Sequence, residues 1–184
     1  MYLESRDLIP QPIDVVYPLI RDHLDVLVPY LPSVKRIEEI SRAPGDAGLE
    51  VVNHWYAVAD VPGPVKKVIK PEMFSWKDFA TWKDDQRCVD YRLESFLAKD
   101  LYDARGTNYF TAAGDQTELR VTCTVEIHAD RIPGVPNFVL KKTLPLIETV
   151  IRQLLEPNLR SVGKGLTAYF RDPARATPGA ATGR

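Results

Sequence analysis

Cysteine is almost missing from this chain. Cys88 and Cys123 are the only two in 184 residues. That is too few for a disulfide scaffold, and both are expected to be free thiols. Histidine is nearly as scarce, with three scattered residues, and no His or Cys pair stands at metal-ligand spacing, so no metal site and no cofactor are expected. Charge of one sign is lacking too. The formal net charge is −1, which removes the basic excess that would neutralise phosphates, so nucleic acid is not an expected partner. No run approaches the ~20 apolar residues that a membrane-spanning helix needs. The segment from Met1 to Pro10 carries Glu4, Arg6 and Asp7 and does not read as a signal peptide, so a cytoplasmic location is expected. Enzyme fingerprints are absent as well: there is no Gly-x-Ser-x-Gly elbow, phosphate loop, dinucleotide motif or His-Glu-x-x-His.

What is present is a change of hydrophobic period along the chain. Tyr2 to Ile9 reads as a strand, broken by Pro10 and Pro12. Ile13, Val16, Tyr17 and Ile20 recur at helical spacing through Asp22, with Pro18 interrupting, and Leu24 to Leu31 reads as a second short helical segment. From Val34 the period moves toward two. Strands are expected over Val34 to Arg42, Leu49 to Val58, Phe74 to Lys83, Arg87 to Phe96, Asp103 to Ala112 and Thr117 to His128. The clearest alternation sets Leu119, Val121, Cys123, Val125 and Ile127 against Glu118, Arg120, Thr122, Thr124 and Glu126, giving one buried face and one wet face. The same count places Cys88 outward and Cys123 inward. In strand 49–58 both faces carry apolar residues, and periodicity does not say whether Asn53 or His54 points inward.

Pro145 to Phe170 then reads as one amphipathic helix. Leu144, Ile151, Leu154, Leu155, Leu159, Val162, Leu166 and Tyr169 share a stripe, opposite Gln153, Glu156, Arg160 and Lys164. At about 1.5 Å per residue it would span ~39 Å, enough to cross a sheet. Pro157 is expected to kink it on the solvent side. Residues 171–184, with two prolines and two glycines, read as a disordered tail.

This order, together with Arg105-Gly106-Thr107-Asn108-Tyr109-Phe110-Thr111, the turn at Gly114-Asp115 and the strand from Thr117, resembles the START-like superfamily over residues 1–170. That group includes the birch-pollen-allergen and polyketide cyclase/dehydrase families. Many members carry Trp where this chain has Asn108. The resemblance implies an α+β helix-grip fold: a curved antiparallel sheet of six to seven strands, two short helices and one long C-terminal helix. It also implies a ligand cavity between sheet and helix. Trp76, Tyr91, Asn108, Phe110 and Cys123 would line it from the sheet, and Leu144, Ile151, Leu155, Asn158, Val162 and Tyr169 from the helix. The alternative is that these residues pack a solid core.

Asn108 and Asn158 are amides on apolar faces, and each needs a partner, because an unpaired buried amide costs ~1–3 kcal/mol. Asp78, between Trp76 and Ala80, is a candidate acid or base if its face is inward, whereas a bulge would put it in solvent. His54 is a second candidate. The loop with Lys66, Lys67 and Lys70 is a candidate lid or a plain solvated loop. The leading expectation is a non-enzymatic protein that binds a hydrophobic small molecule or lipid. A polyketide cyclase/aromatase-type enzyme and an interaction module with a filled core are the alternatives.

Overall fold

The structure, a computed structural model, describes residues 1–57, 75–95, 102–128 and 159–175. Seven strands form one antiparallel sheet: β1 (Tyr2–Ile9), β2 (Val34–Gly45), β3 (Gly48–Ala57), β4 (Ser75–Lys83), β5 (Cys88–Ser95), β6 (Tyr102–Ala113) and β7 (Gln116–Ile127). Their order is β1-β7-β6-β5-β4-β3-β2, so β2 through β7 form a meander and β1 returns to pair with β7. Helix α1 (Ile13–Asp22) and a 3-10 segment (Leu24–Tyr30) connect the two sheet edges. The C-terminal helix, α2, is described over 159–171.

Each element follows from local chemistry. In α1, the carbonyl of Pro12 accepts from the amides of Val15 and Val16 at 2.9 and 3.1 Å, so the helix starts without a side-chain cap. Pro18 does not stop it, because Val16, Tyr17 and Ile20 are anchored in the core. Each fully buried side chain of that size contributes ~1.5–3 kcal/mol, enough to offset the hydrogen bond the proline removes. The turn after β4 closes with Arg87 in the left-handed region at φ 50°.

Residues that pair across the strands share a face. Leu3 and Ile9 on β1, Val51 and Trp55 on β3, Ala80 and Trp82 on β4, Val89 on β5, Phe110 on β6 and Leu119, Val121, Cys123 and Val125 on β7 are buried on the inner face. Tyr17 from α1 meets Trp82 and Phe110 edge-on, with centroids at 5.4 and 5.2 Å. Leu166 and Tyr169 bring α2 onto this core, and Tyr169 packs against Tyr30. The placed chain runs past 171: Tyr30 donates to Asp172, and Asp172 also accepts from the amide of Ala174 at 2.9 Å. The expected tail is therefore tied down over its first residues. The segment expected to begin the long helix, with Leu144, Ile151, Leu155 and Asn158, lies outside the described residues, as does the stretch with Lys66, Lys67 and Lys70.

Candidate inner-face site

Among the described residues the buried apolar side chains fall into two clusters. A large cluster centres on Tyr17, Trp82, Phe110 and Leu166, and a small one on Leu3, Ala104, Cys123 and Val125. Between them, toward β3 and β4, the inner face turns polar. Strand pairing fixes what lies there. Asp78 is directly opposite Asn53 on one side and Leu93 on the other. Trp55 is opposite Trp76, their rings stacked at 5.6 Å and 16°. Ala80 is opposite Tyr91. The register through Trp76–Lys83 runs without a shift, so no bulge turns Asp78 outward.

Asp78 is half-buried, and its Oδ1 is sealed from solvent without a hydrogen-bond partner. Burial in these surroundings penalises the carboxylate and pushes its pKa up to about 7. The nearby Trp55 indole N–H works in the opposite direction, but its Nε1 makes no hydrogen bond of acceptable geometry. The carboxyl therefore changes charge near neutrality, where a group can both give and take a proton.

Tyr91 crosses β6 and donates to the backbone carbonyl of Thr122 at 2.8 Å. Gly106 permits that crossing: a Cβ there would sit 2.9 Å from the Tyr91 hydroxyl and inside contact distance of Thr122 O. The ladder between β6 and β7 is interrupted at this point, and the Thr122 hydroxyl bridges it, accepting from Thr107 N at 3.0 Å and donating to Thr107 O at 2.9 Å. Burial raises the Tyr91 phenol above its ordinary range, so it stays a neutral donor.

The expected cavity residues divide. Trp76, Tyr91, Asn108 and Val162 are half-buried, whereas Phe110, Cys123 and Tyr169 are closed into packed clusters. Asn108 has an inward, unpaired, sealed Oδ1, but it lies in register with Val89, four residues along β5 from Leu93. That is about 13 Å along the strands, so Asn108 and Asp78 do not form one cluster. The Trp82 indole N–H, also unpaired, shares the row of Asn108.

His54 faces the other way. Val51, Asn53 and Trp55 occupy the inner face of β3, and His54 stacks on Tyr56 at 4.2 Å on the outer face beside Lys77. Partial burial and the Lys77 charge hold its pKa below the usual histidine value. It therefore shares no site with Asp78. Cys88 lies on the outer face as expected from alternation, yet it is buried to 3% exposure, close to the 2% of Cys123. Both thiols are free.

Asn53, Trp55 and Leu93 belong to this region and were not among the expected cavity residues. For Asn53 and Trp55 no signal was available, because both faces of β3 are apolar. Leu93 was legible, since Val89, Tyr91 and Leu93 alternate with Asp90, Arg92 and Glu94.

A recess of about 350 Å³ lies elsewhere, at the sheet's end between Asp46, Leu49, Lys83 and Asp85. It is open and acidic, and it does not include Asp78. Among the described residues no group of His, Cys, Asp and Glu could hold a metal, and no helix is long and apolar enough to cross a membrane.

No protein-family model matches the chain, and no curated protein matches it. Solved structures do. TTHA0849 of Thermus thermophilus is 23% identical, with a TM-score of 0.66 over 96% of this chain and 100% of that one. The Zhui aromatase/cyclase of Streptomyces sp. R1128 is 15% identical, with a TM-score of 0.58 over 94% and 97%. A truncated norcoclaurine synthase of Thalictrum flavum is 14% identical, with a TM-score of 0.58 over 94% of both chains. At these identities the likeness is one of architecture, and it matches the seven-stranded antiparallel sheet and helices described above: the chain shares the helix-grip fold of these structures.

Proposed function

We propose that this is a cytoplasmic protein that binds a hydrophobic small molecule or lipid on the inner face of the sheet, beneath the C-terminal helix. The observation that carries the reading is the carboxyl of Asp78 on the inner face, paired in register with Asn53 and Leu93. Trp76, Asp78, Tyr91 and Leu93 are half-buried on this face, and Asp78 Oδ1 has no hydrogen-bond partner among the described residues. A buried polar atom without a partner costs ~1–3 kcal/mol. A bound ligand that supplies the partner would remove that cost, while apolar contact at ~25 cal/mol per Å² would supply most of the affinity.

A second reading is favoured by one specific observation. Asp78 is an inward carboxyl that titrates near neutrality, and an enzyme of the cyclase type needs such a group to move protons on a bound substrate. The architectural likeness to an aromatase/cyclase adds fold and no more.

The test is an apolar fluorescent probe titrated into folded protein, with Leu93→Trp as the filling variant. In an open site the added volume is absorbed: probe affinity falls and the melting temperature holds. In a solid core the wild type binds no probe, and the variant loses ~1–3 kcal/mol through overpacking. The latter pair of results would favour an interaction module instead.

A further inference from the structure

We propose that the polar end of the ligand is a protonated amine, held by Asp78 and the face of Trp76, on an otherwise apolar body. This rests on the inner-face binding reading and names the chemistry that face selects.

Two features of the site converge on a cation. Asp78 Oδ1 is an unpaired acceptor beside the Trp55 indole N–H, and no cationic side chain of the described residues reaches it. A carboxylate so placed binds a donor and repels an anion, so a fatty-acid carboxylate or a phosphate headgroup is a poor fit. Next to it stand two stacked indoles. Trp76 precedes Asp78 by two residues on the same strand face, and Trp55 is its cross-strand partner. An indole face attracts an ammonium group through its quadrupole, more strongly where water is scarce. Carboxylate and indole therefore favour the same charge.

Among the described residues, the groups around Asp78 supply no competing cation. Across β3 it faces Asn53, and across β5 Leu93. Tyr91, one row away, is a neutral phenol already donating to Thr122 O. Glu39, in register with Asn53 at the sheet edge, is engaged with Arg42 at 2.8 Å. With the carboxyl titrating near neutrality, the preference for an amine is fully present at pH 8 and shrinks as Asp78 is protonated below pH 7.

The experiment compares naphthylethylamine, naphthylethanol and naphthylacetate, three probes of one apolar body, by calorimetry at pH 8 and pH 6. At pH 8 the amine should bind about tenfold more tightly than the alcohol, with the carboxylate weakest. In Asp78→Asn the amine-to-alcohol ratio should fall to about one, and Trp76→Leu should lower it in part. Circular dichroism confirms that each variant is folded. A carboxylate that binds as well as the amine, or an amine preference that survives Asp78→Asn, overturns the proposal. Alcohol binding without amine preference overturns this inference alone and leaves the binding reading standing. Failure of all three probes overturns both.

Discussion

A single amide substitution, Asp78→Asn, should make this protein more stable at alkaline pH and leave it nearly unchanged at acid pH. The sign follows from linkage. The unfolded carboxyl ionises at its ordinary value of 3.8, and the folded one at about 7. Between those two values the native state holds a proton that the unfolded state has released. Stability from this group is therefore complete at low pH and declines as pH rises toward 7. One pKa unit corresponds to 1.36 kcal/mol, which gives a ceiling of about 4 kcal/mol for the whole shift. Asp78 is only half-buried, and water reaching it lowers that ceiling to a few kcal/mol. Asn keeps the shape and does not titrate. Urea denaturation followed by circular dichroism at pH 5, 6, 7 and 8 measures both proteins. The difference between them isolates Asp78 from the other titrating groups. The gap should widen by ~1 kcal/mol per pH unit from 5 to 7 and then level off. A gap that stays constant with pH would refute the assignment of Asp78 to a desolvated inner face. A gain in stability at the expense of the site would be the usual trade between binding chemistry and packing.

Two further outcomes test the frame around the site. Gly106→Ala should destabilise by ~3 kcal/mol or more, because the new Cβ meets the Thr122 backbone carbonyl and the Tyr91 hydroxyl; Tyr91→Phe, which loses only one hydrogen bond, should cost ~1 kcal/mol in the same denaturation assay. A thiol reagent should find two reactive groups in unfolded protein without reductant, and in native protein both Cys88 and Cys123 should react slowly, since both are buried and burial raises both thiols; fast native reaction of Cys88 alone would contradict its burial beside Lys83 and Tyr109.

Much of the frame was legible in the residues. The strands over Tyr2–Ile9 and Gln116–Ile127 and the helix over Ile13–Asp22 follow from period and from proline and glycine punctuation, both properties of neighbours in the chain. Pro18 misleads there only because a local rule weighs one lost hydrogen bond, while the anchoring of Tyr17 between Trp82 and Phe110 comes from 65 to 93 residues away. The inward direction of Asp78 was readable as one of two options, and the unbroken register with β3 and β5 decided it. The face of His54 was not readable, because Val51, Val52, Trp55 and Tyr56 make both sides of β3 apolar; pairing with β4 put Asn53 inside and His54 outside. Likewise, alternation placed Cys88 outward, but whether an outer face is wet depends on what covers it. Composition and spacing thus indicated which of the described segments are strands and helices. The partner strand alone decided which side chains meet, because burial, an unpaired oxygen and a shifted pKa arise between residues distant in the chain.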